Sequence, residues 1–328
     1  MKSKITYHEQ TDMENTLKLR EVLKTLPSFT SEFFRGISTT TSTSTRIKYA
    51  YDLRIFFQCL QTEYLKAYIG SQESYTTNGE KGLKRKLSAL RTFYSYYFKK
   101  ELIETNPTLL IDMPKLHEKE IIRLEPNEVA ELLDFIESCG DGLSNHQRAY
   151  YEKTKERDFA IITLLLGTGI RVSECVGLDI EDVDFKNNGI KVLRKGGNEM
   201  FVYFGDEVAE ALKKYIEVRA GITPVAGHEH ALFYSAQRKR INVKTVENLV
   251  KKYASQVTTT KKITPHKLRS TYGTTLYQET GDIYLVADVL GHKDVNTTKK
   301  HYAAMDDARR RQAATAVRLR ESMPEHEE

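Results

Sequence analysis

Residues 264 to 273 read TPHKLRSTYG, and the order of residue types suggests chemistry at the start of a helix. Thr264 has the side chain of an N-cap, and Pro265 suits the first helical position, where its missing N–H costs nothing. A helix beginning here puts His266 and Arg269, three residues apart, on one face. Both then stand beside a terminus whose free N–H groups and dipole favour an anion. The pair reads as a grip for an anionic group, and a solvated basic first turn is the competing reading of so short a pattern.

Positioning such a grip takes a folded scaffold, and the composition supplies one. The chain has 328 residues, 40% of them hydrophobic, enough for two packed domains. Lysine plus arginine exceeds aspartate plus glutamate by 50 − 45 = 5, a mild excess whose meaning depends on where the charges cluster. Cys59, Cys139 and Cys175 are odd in number and widely spaced. That argues against a disulfide framework and a thiolate zinc site, and fits a reducing, cytoplasmic location. The N-terminus MKSKITYHEQTDMENT has no apolar signal region, and the run FAIITLLL at 159–166 is too short to span a bilayer. No membrane role is expected.

The hydroxyl run STTTSTST at 38–45 precedes a helical apolar pattern through Tyr49, Leu53, Phe56, Phe57 and Leu60, with Ser44 or Thr45 as the expected N-cap. Thr45 is also a candidate for contacting DNA phosphate. After a polar loop around 70–80, KGLKRKLSALRTFYSYYFKK sets Leu83, Leu87, Leu90 and Tyr94 on one stripe. Lys81, Lys84, Arg85, Ser88 and Arg91 form another stripe with no acid inside it, a candidate phosphate-contacting face. A solvated face is the alternative.

The stretch 106–129, with three prolines and a charged middle, reads as an extended connection, and the domain boundary is expected near residue 117. This gives an N-terminal extension at 1–25, a first domain at 26–116 and a second at 117–328. In the second, PNEVAELLDFIESC and residues 157–166 are helical by period, and the polar stretch 140–156 has no assignment. GIKVLRKGGNEMFVYF, 189–204, alternates around a Lys-Gly-Gly-Asn turn and reads as a β-hairpin. Helical patterns follow in EVAEALKKYIEV, VKTVENLVKKYA, the segment from 265, and YLVADVLGH. The class expected is mainly α with a small β-sheet.

Four short segments now stand in order: GTGIRVSE at 167–174, Lys195 in the hairpin turn, PHKLRSTYGTTL at 265–276, and LGHKDVNTTKKHY at 290–302. Their order and spacing resemble the tyrosine recombinase, or phage integrase, family. The stretch LSALRTFYSYYFKKELIETNP is similar to the family's core-binding domain, so the resemblance runs from about residue 40 to 305. It implies a two-domain DNA clamp, a helical SAM-like core-binding domain followed by the tyrosine recombinase catalytic domain. Carried over singly, the family's catalytic residues match Arg171, Lys195, His266, Arg269, His292 and the nucleophile Tyr302. Glu174 matches an acidic position that supports the site from behind. Tyr302 follows His292 by ten positions, one more than the commonest family spacing, whose slot holds His301. No other tyrosine lies between 285 and 328.

These residue types suit phosphodiester exchange. Arginine's forked donors fit phosphate oxygens, and two arginines with a histidine can hold the charge that develops on a pentacoordinate phosphorus. The resemblance implies that His266 takes the tyrosine proton and that Lys195 protonates the leaving 5′ oxygen. No metal, nucleotide or other cofactor is called for. Asp179, Glu181, Asp182 and Asp184 form the one dense acidic cluster that would suit a Mg²⁺-dependent nuclease, and a solvated loop is its plainer reading. HEH at 228–230 lacks His-Glu-x-x-His spacing. The implied partners are double-stranded DNA carrying a specific recombination site, a homotetramer on that DNA, and a second recombinase or accessory protein. The C-terminal helix after Tyr302 is expected to pack on a neighbouring protomer. Two further readings stand beside this one: a type IB topoisomerase-like enzyme and a non-catalytic DNA-binding module.

Overall fold

The computed structural model describes residues 6–61, 79–115, 121–138, 144–194 and 197–292, with Val295 and Thr298. The chain divides into two compact units, residues 1–119 and 120–328.

The first unit is all helical: α1 (Tyr7–Leu23), α2 (Thr30–Gly36), α3 (Thr43–Gln61) and α4 (Glu80–Lys99), then a 3-10 turn at Pro107–Leu110. Residues 6–25, the described part of the segment 1–25 set apart in the sequence as an extension, supply part of its core. Thr6 and Glu9 form a capping box that starts α1, and Leu19 and Val22 are buried with Phe33, Phe34, Leu53 and Phe93. The hydroxyl run ends earlier than expected. α3 starts at Thr43, and Ser42, not Ser44 or Thr45, sits at the cap, its Oγ accepting the Thr45 N–H at 3.4 Å. The Thr43 hydroxyl is turned inward and donates to Asp12 at 2.6 Å, tying α3 to α1.

The packed stripe of α4 is also rotated from the one expected. Ala89, Phe93 and Tyr97 are buried, Leu90 and Tyr94 pack partly against them, and Leu83 is 42% exposed. Edge-to-face packing turns the helix this way: Phe93 meets Phe33 at 5.2 Å and Tyr97 at 4.9 Å between ring centroids.

The second unit contains α5 (Pro126–Ser138), α6 (Asn145–Thr168), α7 (Val172–Gly177), a 3-10 turn at Ile180–Asp182, a three-stranded sheet, and α8 (Asp206–Ala220), α9 (Val243–Val257), α10 (Pro265–Thr280) and α11 (Ile283–Leu290). Strands β1 (Val183–Asp184), β2 (Gly189–Leu193) and β3 (Glu199–Tyr203) are antiparallel in the order β1-β2-β3. The hairpin pairs Ile190 with Val202 and Lys191 with Phe201, so alternate residues face in and out, as the sequence pattern requires. Most of the polar stretch 140–156 belongs to α6. A capping box between Ser144 and Gln147 starts that helix, and Tyr151 and Thr154 are buried on it. Residues 139–143, residues 70–78 of the polar loop before α4 and the C-terminal helix expected after Tyr302 lie outside the described residues. Among the described residues no helix is long and apolar enough to cross a membrane.

The centre of α6 carries a buried ion pair. Arg157 Nη2 lies 2.6 Å from Asp158 Oδ1, Arg157 Nη1 donates to the Tyr234 carbonyl at 3.0 Å, and the Tyr253 hydroxyl donates to Asp158 Oδ2 at 3.0 Å. This network joins α6 to α9 and to the loop before it. Removing one member of such a pair strands the other charge, typically at about 3–5 kcal/mol. Asp158→Ala is therefore expected to destabilise the second unit by about that amount in urea denaturation. Glu199→Ala, which breaks the exposed Lys191–Glu199 pair, is expected to leave the midpoint in place.

Candidate active site

Three described helices of the second unit stop at glycines in the left-handed conformation, Gly281 after α10 and, both at φ +61°, Gly169 after α6 and Gly291 after α11, the two that bear on the site. The last carbonyls of a helix have no N–H partner inside it, and the negative end of the helix dipole adds to their attraction for a cation. Arginines occupy both ends. Arg269, on the second turn of α10, donates from Nη1 to the Gly169 carbonyl at 2.5 Å and from Nη2 to the Leu290 carbonyl. Arg171, at the start of α7, donates from Nη2 to the Gly291 carbonyl at 3.2 Å. Arg194, just past β2, donates from Nη1 to Leu290 and from Nη2 to Val289, both at 2.8 Å.

Glu174 holds this group from behind. Its Oε1 accepts Arg171 Nη1 at 2.8 Å, its Oε2 accepts the Arg171 backbone N–H at 2.8 Å, and Oε2 lies 3.6 Å from Arg194 Nη1. The carboxylate is buried, 4% exposed, in the reciprocal position of a capping box for α7. Three guanidiniums, those of Arg171, Arg194 and Arg269, stand around this one buried carboxylate, and the Asp288 charge also acts on Arg194. Burial pulls the Arg194 pKa below the ordinary arginine value, with Glu174 opposing and the Arg171 charge adding to the fall. Beside Glu174, burial pushes the Cys175 thiol up to about 12, so this cysteine is an inert packing group.

His292 follows Gly291 directly. Its backbone N–H donates to the Ala287 carbonyl at 2.9 Å, and its Nδ1 is 2.7 Å from the buried Thr298 hydroxyl, a contact that fixes the ring plane. His266 lies in the first turn of α10 with its side chain exposed, one turn before Arg269. Thr264 stands at the N-cap, as expected, though its side chain makes no capping bond, and Pro265 takes the first helical position. The structure thus brings Arg171, Glu174 and Arg269 into one network at the α11 end, with His292 directly after that end and His266 on the helix that carries Arg269. Lys195 and Tyr302 lie outside the described residues.

Arg194 was not singled out in the sequence. The signal was strand parity: Ile190, Val192 and Arg194 are buried at alternate positions, at 0%, 1% and 8% exposure. An arginine in that inward register needs buried acceptors, and the α11 carbonyls provide them.

The acidic cluster has structural partners. Asp182 accepts the Asp179 N–H at 2.8 Å, Asp179 pairs with Arg240, Glu181 pairs with His230 of the HEH segment at 2.5 Å, and Asp184 accepts N–H groups of Lys186 and Asn187. Among the described residues no group of three or more His, Cys, Asp or Glu is placed to hold a metal ion.

In the first unit the basic stripe is partly committed within the fold. Arg85 pairs with Asp52 of α3, which is buried, so an acid absent from the stripe itself arrives from the neighbouring helix. Arg91 donates to the Ile111 carbonyl, Ser88 to the Lys84 carbonyl at 2.9 Å, and the Thr45 hydroxyl meets that of Ser42 at 3.0 Å. Lys81 is exposed and Lys84 half-buried on the same helix.

Residues 122–309 match the phage integrase family. A tyrosine recombinase XerC of Caldanaerobacter subterraneus subsp. tengcongensis is 33% identical, the match covering 90% of this chain and 88% of the relative. A tyrosine recombinase XerD of Staphylococcus saprophyticus is 32% identical over 67% of this chain and 70% of its own. Among solved structures, a post-cleavage complex of the XerH site-specific recombinase with a palindromic difH substrate has the same fold, with TM-score 0.61, 21% identity and coverage of 83% of this chain and 79% of that one. A lambda integrase dimer bound to a COC′ core site also gives TM-score 0.61, at 17% identity, over 84% and 94% of the two chains. The chain belongs to the phage integrase family and is a tyrosine-type site-specific DNA recombinase.

The left-handed glycines leave no room for a side chain. A Cβ on Gly291 would stand 2.7 Å from Arg194 Nη1, and the left-handed conformation alone costs an ordinary residue about 1–2 kcal/mol. Gly291→Ala is expected to lose at least that much stability in urea denaturation. Gly82→Ala, in open space on α4, is expected to gain about 0.5–1 kcal/mol.

Proposed function

We propose that this recombinase breaks and rejoins DNA strands through a covalent 3′-phosphotyrosine, with Tyr302 as nucleophile and Arg171, Arg269 and His292 around the scissile phosphate. The observation that carries this reading is the convergence of Arg171 and Arg269 on the two helix ends, held by Glu174 and the Leu290 and Gly291 carbonyls. A phosphodiester carries one negative charge and its pentacoordinate transition state carries two. Arg171 and Arg269, fixed in place by their bonds to Glu174 and the helix-end carbonyls, therefore favour the transition state over the ground state.

Tyrosine needs help to attack. Its ordinary pKa is near 10, so about one phenol in a thousand is ionised at pH 7. The positive field lowers that cost, and His266, exposed on the first turn of α10, is our candidate to take the phenol proton. As the tyrosine oxygen bonds to phosphorus, the bond to the 5′ oxygen breaks, and Lys195 in the hairpin turn supplies the proton that the leaving oxygen requires. The phosphotyrosine keeps the energy of the original ester, so a 5′ hydroxyl of another strand can displace the tyrosine without ATP.

The substrate we propose is duplex DNA with a specific recombination site, gripped by the second unit at the phosphate and by the first unit along Lys81, Lys84, Arg85, Ser88, Arg91 and Thr45. Arg85 and Arg91 would contact phosphate with the fold contacts described above also in place. The working assembly is a homotetramer on two sites passing through a Holliday junction, with the helix after Tyr302 packing on a neighbouring protomer and a second recombinase or accessory protein as an added partner. The cytoplasm is the proposed location. A topoisomerase-like activity, relaxing supercoils with no second site, and a purely binding role are less favoured, because the relatives are recombinases.

Nicked suicide duplexes drawn from DNA flanking the gene test the chemistry. The parent protein is expected to form an SDS-resistant DNA adduct in EDTA, and Tyr302→Phe none. An adduct with Tyr302→Phe would place the nucleophile elsewhere, and cleavage only with Mg²⁺ would overturn the mechanism. Arg269→Ala is expected to slow adduct formation by about 10²–10³-fold, the usual loss for one oxyanion donor.

A further inference from the structure

Arg194 sits at a junction that the proposed mechanism does not use. Its backbone closes the hairpin turn: the Arg194 N–H donates to the Asn198 carbonyl at 2.8 Å, and its own carbonyl accepts the Gly197 N–H at 3.0 Å. Lys195 follows Arg194 in the chain. The Arg194 side chain runs into the end of α11, where Nη1 and Nη2 bond the Leu290 and Val289 carbonyls at 2.8 Å each. The same Leu290 carbonyl accepts Arg269, and the same Glu174 that binds Arg171 lies 3.6 Å from Arg194. One residue therefore ties the base of the lysine turn to the backbone that holds both phosphate-binding arginines.

The Arg194 side chain, anchored in the unit's interior, can fix the register of the turn it borders. Arginine suits the task because its rigid fork reaches two carbonyls at once, which the single ammonium of lysine does not reproduce. Gly291 completes the fit, since any side chain there would strike the Arg194 guanidinium.

We infer that Arg194 is a positioning residue for the leaving-group proton transfer, holding the Lys195 turn in register with the scissile phosphate. This rests on the proposed role of Lys195 as the proton donor. Arg194 itself touches carbonyls and stays 8% exposed, so its part in the reaction is to place another group.

The proton step can be isolated chemically. Attack by the tyrosine oxygen breaks the bond from phosphorus to the 5′ oxygen, and the departing electron pair on that oxygen takes up a proton. When sulfur replaces the bridging 5′ oxygen, a thiolate departs without one. Adduct formation is to be timed for the full-length protein, Lys195→Ala, Arg194→Gln and Arg194→Lys, on the suicide duplex that traps the parent and on its 5′-phosphorothiolate counterpart. Circular dichroism and thermal melting report folding.

Loss of a general acid costs about 10²–10⁴-fold. Arg194→Gln is expected to fall by at least about 100-fold on the oxygen substrate and to recover to within about tenfold of the parent on the sulfur substrate, as Lys195→Ala does. Arg194→Lys keeps a cation beside Glu174 and covers the case in which Arg194→Gln does not fold. It is expected to show the same selective loss in smaller measure. Equal loss on both substrates by a folded variant would make Arg194 part of the phosphate grip and overturn the inference, and so would full activity of Arg194→Lys on the oxygen substrate. If Lys195→Ala is not recovered by sulfur, the lysine reading itself fails and this inference falls with it. Recovery of Lys195→Ala without recovery of the Arg194 variants overturns the inference alone.

Discussion

The site depends on one interaction, the bonding of arginine guanidiniums to carbonyls at the C-terminal ends of helices. Helix ends present acceptors that the helix cannot satisfy, with the negative end of a dipole behind them. The α11 end offers Val289, Leu290 and Gly291, and three arginines from α10, β2 and α7 converge on it. Each comes from a different part of the chain, so the α11 carbonyls are the common frame that sets their mutual geometry. The left-handed glycines make this possible by ending the helices abruptly, leaving their carbonyls open to the approaching side chains.

A cluster of like charges needs a counterweight during folding, and Glu174 provides it. One buried carboxylate meets Arg171 through both its side chain and its backbone N–H and stands near Arg194. It sets a single negative charge among three guanidiniums. In the proposed reaction the remaining positive field would stabilise developing negative charge without reorganising. The same residue also shapes the start of α7.

Much of this was legible in the sequence because particular residue types have few uses. Thr264-Pro265 marked the start of α10, and the alternation of 189–204 marked the hairpin. Gly169 and Arg171 lay in a motif whose order, with His266, Arg269 and His292, belongs to few chemistries. The structure departed from the sequence reading where tertiary packing overrode local pattern. Leu83 lies toward solvent because aromatic edge contacts rotate α4. The polar stretch before residue 157 became helix because Ser144 and Gln147 cap it and Tyr151 is buried on it. Arg194 was hidden by composition: an arginine beside a lysine and two glycines reads as a turn, and strand parity alone shows that it points inward.

In the proposed reaction Arg171 and Arg269 are held ready by helix-end carbonyls before the phosphate arrives. The direct measurement is a crystal structure of the protein with nicked DNA and orthovanadate, whose trigonal-bipyramidal adduct mimics the pentacoordinate phosphorus. Vanadate oxygens are expected within hydrogen-bond distance of Arg171 and Arg269 while the bonds to Gly169, Leu290 and Gly291 persist. Vanadate bound away from these arginines, or arginines that must leave the carbonyls to reach it, would overturn the proposed grip.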